Sequence, residues 1–150
     1  MKNSKELLAY CGLYCGDCAG YSGEIADAAE KLKATTKKYK FHQTAKHLFP
    51  EKLKEYDKLE KMVDFMTELR CPRICREIKE SDVKCKISKC CRDKGFFACY
   101  ECDTFETCTE LKTLAGLHGE AHIENLRAIR EMGIDKWITD GKRLWFADDE

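Results

Sequence analysis

Apolar residues along this chain recur at three and four positions far more often than at two, which predicts helices and almost no strand. The clearest stretch follows Pro50, where Leu53, Tyr56, Leu59, Val63, Met66 and Leu69 mark one face of a long amphipathic helix. An earlier helix is read in EIADAAEKLKATTKK, residues 24–38, with Ile25, Ala28, Ala29 and Leu32 inward. Cys71-Pro72 ends the long helix, and Pro72 suits the first position of a short new one, RICREIKE, in which Ile74 and Ile78 share a buried side. Further on, a helix is expected over 85–94, a tight turn at Cys99–Cys102 and helical backbone over 104–114. The tail reads as a helix from Glu120 to Met132, with Leu126 and Ile129 inward and Gly133 as its stop. A last helix follows, capped by Asp135 and carrying Trp137, Ile138, Leu144 and Trp145, while at the front Ser4 is placed to cap a turn over KELLAY. The expected fold is mainly α: a small helical domain with cysteine-rich metal-binding knuckles and little or no sheet. One domain over 1–150 is expected, with metal-stapled segments at 11–18 and 71–108 and helical segments at 24–70 and 115–147.

Bulk composition narrows the partners only a little. Lys plus Arg and Asp plus Glu number 27 each, so global charge points to neither nucleic acid nor an anionic membrane. Mean hydropathy is −0.55, polar for a globular domain, and no apolar run approaches the ~20 residues that span a bilayer. The opening MKNSKELLAY lacks the apolar centre of a secretion signal, so a cytoplasmic location is expected. In that compartment thiols stay reduced, and closely spaced cysteines read as metal ligands or catalytic groups rather than disulfides.

The cysteines carry the chemistry. There are eleven, and they fall in four groups: Cys11-x3-Cys15-x2-Cys18, Cys71-x3-Cys75, Cys85-x4-Cys90-Cys91 and Cys99-x2-Cys102-x5-Cys108. One chemically sensible set is Cys85, Cys90, Cys99 and Cys102, a helical pair facing a knuckle pair. Four thiolates around zinc carry net negative charge, which Lys84, Lys86, Lys89, Arg92 and Lys94 can offset. Such an ion contributes ~10–16 kcal/mol of apparent binding free energy, more than most domains have to spare. A second set starts from Cys11, Cys15 and Cys18, where interleaved Gly12, Gly16 and Gly20 let the backbone approach sulfur closely. Its fourth ligand is open among Cys71, Cys75, Cys108 or an exchangeable group, the last being the arrangement of catalytic zinc. Cys91 diverges from Cys90 on a helix and reads as a packed thiol. One or two zinc ions are expected. An iron–sulfur cluster is the alternative, since Cys11-x3-Cys15-x2-Cys18 also matches a radical-enzyme cluster spacing, although the large α/β barrel such enzymes need is missing.

These residues also carry a resemblance. CGLYCGDCAGY at 11–21, CKISKCCRDKGFFACYECDTFETCTEL at 85–111 and NLRAIREMGIDKWI at 125–138 resemble a family of short, cysteine-rich bacterial and archaeal proteins catalogued as a domain of unknown function. The resemblance implies metal binding through Cys11, Cys15, Cys18, Cys85, Cys90, Cys99, Cys102 and Cys108, and no established activity. The chain departs from the pattern at Ala19, at Cys71-x3-Cys75 and at Cys91.

Other candidates are weaker. His118 and His122 stand four apart on the tail pattern, where packing in the core is the commoner use. Residues 31–54 hold eight lysines against one acid, Glu51, and with Tyr39, Phe41 and Phe49 give an alternative of nucleic-acid binding that is not favoured over a solvated face. Asp17 fits an acid–base role near the first cysteines or, more commonly, a turn. No nucleotide-binding loop, nucleophile elbow or histidine–glutamate zinc motif occurs, so catalysis is not the expectation. A metal that mainly holds the fold and presents a surface to an unknown protein or small-molecule partner is.

Overall fold

The computed structural model describes residues 4–146, and among them the chain is mainly helical with no strand. An isolated antiparallel bridge joins Leu8 and Tyr14. Helices of seven or more residues are α1 (Glu24–Lys38), α2 (Phe41–Leu48), α3 (Tyr56–Met66), α4 (Lys86–Lys94), α5 (Ala121–Met132) and α6 (Ile134–Asp140). Single α-turns and 3-10 turns fill much of the rest. The chain condenses into two compact units: Ala19–Pro72, and the residues up to Cys18 joined with those from Arg73 onward. Of the eleven cysteines only Cys71 falls in Ala19–Pro72. No helix among the described residues is long and apolar enough to cross a membrane.

The unit Ala19–Pro72 is built by α1 against α3, with α2 beside them. The face α1 buries differs from the expected one: Ala26 and Ala29 are inside, whereas Ile25 and Leu32 are 40% and 47% exposed. Two alanines let the backbones come close, and charge on the flanks of α1 fixes its rotation. Arg70 reaches Asp27 and Glu30, and Lys33 pairs with Asp64 at 2.9 Å. In α3 only Tyr56 and Val63 of the expected stripe are buried, and the helix starts at Tyr56 rather than directly after Pro50. Phe41 packs on Tyr56 with ring centroids 5.6 Å apart.

The cysteine-bearing unit has two adjoining cores. Leu8, Tyr14, Ala98, Ile129, Trp137 and Ile138 form one. Ile87, Cys91, Cys99, Phe105, Leu111, Ile123 and Leu126 form the other. Leu126 and Ile129 are buried on α5 as their spacing predicts. The chain enters through a tight turn, in which Ala9 N–H donates to the Leu13 carbonyl at 2.8 Å. Gly12 lies at the tip with φ +94°, and a Cβ there would sit 2.6 Å from Leu126 Cγ. Buried Asn125 ties this turn to the tail, its Nδ2 donating to the carbonyls of Gly12 and Leu144 at 3.0 and 2.7 Å while its Oδ1 accepts Leu144 N–H at 2.9 Å.

Several expected helices are shorter or differently made. RICREIKE gives only a 3-10 turn, Cys75–Glu77. The Glu77 carboxylate accepts the Ile74 N–H at 3.3 Å, and Ile78 turns extended with ψ 126°, so no helical ladder propagates. The 104–114 stretch divides into Phe105–Thr107 and Thr109–Lys112 because Cys108 between them is extended, with ψ 120°. In α6, Asp135 sits in the first turn and pairs with Lys5 at 2.7 Å instead of capping, and Leu144 and Trp145 lie beyond the helix end. Gly119 separates His118 from α5, so the two histidines do not share a helix. Both are buried.

Candidate metal centre

Cys90, Cys91, Cys99, Cys102 and Cys108 line one cavity of about 300 Å³ in the cysteine-bearing unit. Four local devices bring them there. On α4 the four-residue spacing of Ile87 and Cys91 turns both into the core, while Cys90 stays exposed at the rim. Gly95 at φ +69° then ends α4 and reverses the chain toward Cys99. Cys99 and Cys102 bracket a 3-10 turn closed by a Cys102 N–H bond to the Cys99 carbonyl at 3.0 Å. Residues three apart in such a turn stack on one side, which is what a metal knuckle needs. Cys108, held extended ahead of its α-turn, supplies the fifth thiol.

Cys91 Sγ lies 3.4 Å from Cys99 Sγ. Two thiolates on a tetrahedral zinc with Zn–S ~2.3 Å are about 3.8 Å apart, so this pair is spaced nearly as co-ligands would be. Their contact favours one proton held between two sulfurs, keeping the Cys91 thiol below its usual range and Cys99 above it; burial works against the first shift and adds to the second. The Thr104 hydroxyl, 3.5 Å from Cys102 Sγ, and then the Thr104 backbone N–H hold Cys102 below the ordinary thiol range. Lys94 lines the same cavity and favours the thiolate at Cys91 and Cys102. Ile87, Phe105 and Leu111 give it apolar walls.

The other cysteines are disposed differently. Cys85 stands at the N-cap position of α4, without a side-chain capping bond, and lies within electrostatic reach of Cys11 and Cys75. Burial pushes Cys11 up to about 12, with the Leu13 N–H acting the other way, and burial likewise raises Cys75. Arg76 and Arg92 brace this region: Arg76 donates to the carbonyls of Leu8 and Phe97 at 2.6 and 2.8 Å, and Arg92 to that of Cys75 at 2.9 Å. Cys15 and Cys18 bracket a 3-10 turn of the same design as Cys99–Cys102, closed by Cys18 N–H to the Cys15 carbonyl at 3.1 Å. Asp17 within it is held by Arg143 at 2.7 Å. As the side chains stand, no three Cys, His, Asp or Glu among the described residues converge on a single coordination point. Cys90, Cys99 and Cys102 of the first expected set share the cavity, whereas Cys85 faces a different group of thiols.

Sequence reasoning passed over the contact of Cys91 with Cys99. Its signal was the four-residue step from Ile87, which sends Cys91 to the side from which Cys99 returns. The unit Ala19–Pro72 has a larger cavity of about 540 Å³, walled by Leu32, Tyr39, Phe41, Tyr56, Leu59 and Val63, with no cysteine on its lining.

Fold and site together define a mainly helical, cysteine-rich protein. The chain belongs to the family described as protein of unknown function (DUF3795), whose model matches residues 7–113. That span includes the stretches at 11–21 and 85–111 and stops short of 125–138. No curated protein and no solved structure matches the chain.

Proposed function

We propose that this protein binds a thiophilic metal ion, zinc in the first instance, through the cysteines of the 300 Å³ cavity. The observation that carries the reading is that five thiols from three local elements line one cavity. The near-ligand spacing of Cys91 and Cys99 supports it, as does the lowering of the Cys91 and Cys102 thiols below their ordinary range by neighbouring hydrogen bonds. A four-sulfur shell would take Cys102 and either Cys108 or Cys90, which line the same cavity, turned toward that pair. A bound zinc would then join α4, the Cys99–Glu101 turn and the segment after Phe105, so its first role is to hold this unit together. The fully thiolate shell offers no open position, which favours a structural over a catalytic ion.

Elemental analysis of protein purified without oxygen tests this. Zinc should be present in a whole-number ratio to chain, and Cys102→Ala with Cys108→Ala should remove one ion while Cys15→Ala with Cys18→Ala leaves that ion in place. Metal-free protein, or zinc content indifferent to Cys102 and Cys108, rejects the reading. A second reading is an iron–sulfur cluster in the same cavity, favoured by a volume about ten times that of one water molecule. Brown protein with visible absorption would select it; colourless zinc protein would select the first.

A further inference from the structure

We propose that Cys91 and Cys99 are a peroxide-reactive pair that closes to an intramolecular disulfide, and that closure ejects the metal from the cavity. The two sulfurs are already in contact at 3.4 Å. A disulfide bond is ~2.05 Å long, so they need to approach by about 1.4 Å. The backbones on either side are pinned in register. Phe96 N–H donates to the Cys91 carbonyl at 2.8 Å, and Cys99 N–H donates to the Tyr10 carbonyl at 2.9 Å. Between them Gly95, at φ +69° with no atom near its Cβ position, gives the connecting loop room to adjust. Both cysteines are buried from bulk solvent, yet both line the cavity, which is wide enough for hydrogen peroxide.

The chemistry balances with hydrogen peroxide as oxidant. One thiolate attacks a peroxide oxygen, the O–O bond breaks, and hydroxide leaves with a proton to become water. The resulting sulfenic acid is attacked by the second thiolate, the S–O bond breaks, and hydroxide again leaves as water. Two thiols and one peroxide thus give one disulfide and two waters, whichever sulfur reacts first. The closed pair leaves Cys90, Cys102 and Cys108 on the cavity, one thiolate short of a four-sulfur shell. This loss of the ion rests on the metal-binding reading; the disulfide itself does not.

Full-length reduced protein, both metal-free and zinc-loaded, is treated with equimolar hydrogen peroxide and followed by intact mass, peptide mapping and a chromophoric zinc indicator. The expected product is lighter by two hydrogen atoms, maps to a Cys91–Cys99 crosslink, persists in Cys71→Ser and is lost in Cys91→Ser. Mapping on the unsubstituted chain decides the matter even where a variant folds poorly. Crosslinks at other cysteines or between chains, or sulfinic acid at Cys91 or Cys99 without a crosslink, overturn the proposal. In zinc-loaded protein one zinc should be released per crosslink formed; zinc retained beside the crosslink overturns the ejection step. A crosslink in protein that never takes up zinc supports the pair while rejecting the metal reading, so the two failures are separable.

Discussion

Gly12 shows how much of the candidate centre depends on one residue without a side chain. Its φ of +94° and the 2.6 Å approach of Leu126 leave no space for a Cβ. Gly12→Ala should therefore cost about 2–4 kcal/mol, from backbone strain and overpacking together, read as a shift in urea midpoint. The neighbouring Cys11 makes a pH-dependent prediction. Its folded value of about 12 exceeds the ordinary thiol value of 9.0. A raised acid stabilises the fold below its unfolded value and loses that contribution as pH rises through its folded one. Metal-free protein should accordingly lose stability between about pH 9 and 12, and Cys11→Ala should flatten that part of a pH series of urea midpoints. The glycines among the first cysteines were legible as places of close backbone approach. Cys75 was one of three candidates to join Cys11, but spacing could not choose it, and Cys85, also near Cys11, had been assigned elsewhere, because spacing along a turn says nothing about which distant segment meets it.

At the scale of elements, long helices were readable and short ones were not. α1 and α5 lie where their periodicity placed them, since each forms enough internal hydrogen bonds to follow local preference. The segments 71–83 and 104–114 are decided instead by side chains reaching elsewhere, as when Arg76 bonds the Leu8 and Phe97 carbonyls. Asn125 is the clearest such device. A buried amide on α5 satisfies three backbone groups from the front turn and the tail. Removing it strands those groups in a dry setting, so Asn125→Ala should destabilise the fold by about 2–4 kcal/mol in chemical denaturation. In the sequence Asn125 is one polar residue beside Leu126, with nothing local to mark it.

Over the whole molecule, ten cysteines and one cysteine fall to the two units very unequally. Chelation should therefore act on one unit. With zinc stripped, amide exchange should rise across 85–111 while α1 and α3 keep their protection; equal loss in both would argue against a metal confined to the cysteine-bearing unit. The eight cysteines matched by family resemblance all lie in that unit, and four of them, Cys90, Cys99, Cys102 and Cys108, share its cavity, a grouping that spacing along the chain did not single out. Ala19–Pro72 has a further property. Its first and last turns meet, Cys71 N–H bonding the Gly20 carbonyl at 2.7 Å, so the polypeptide leaves this helical body almost where it entered. Such a body is topologically an insertion: evolution could lengthen, exchange or excise it at little cost to the loop ends on which the sulfur-bearing part is threaded.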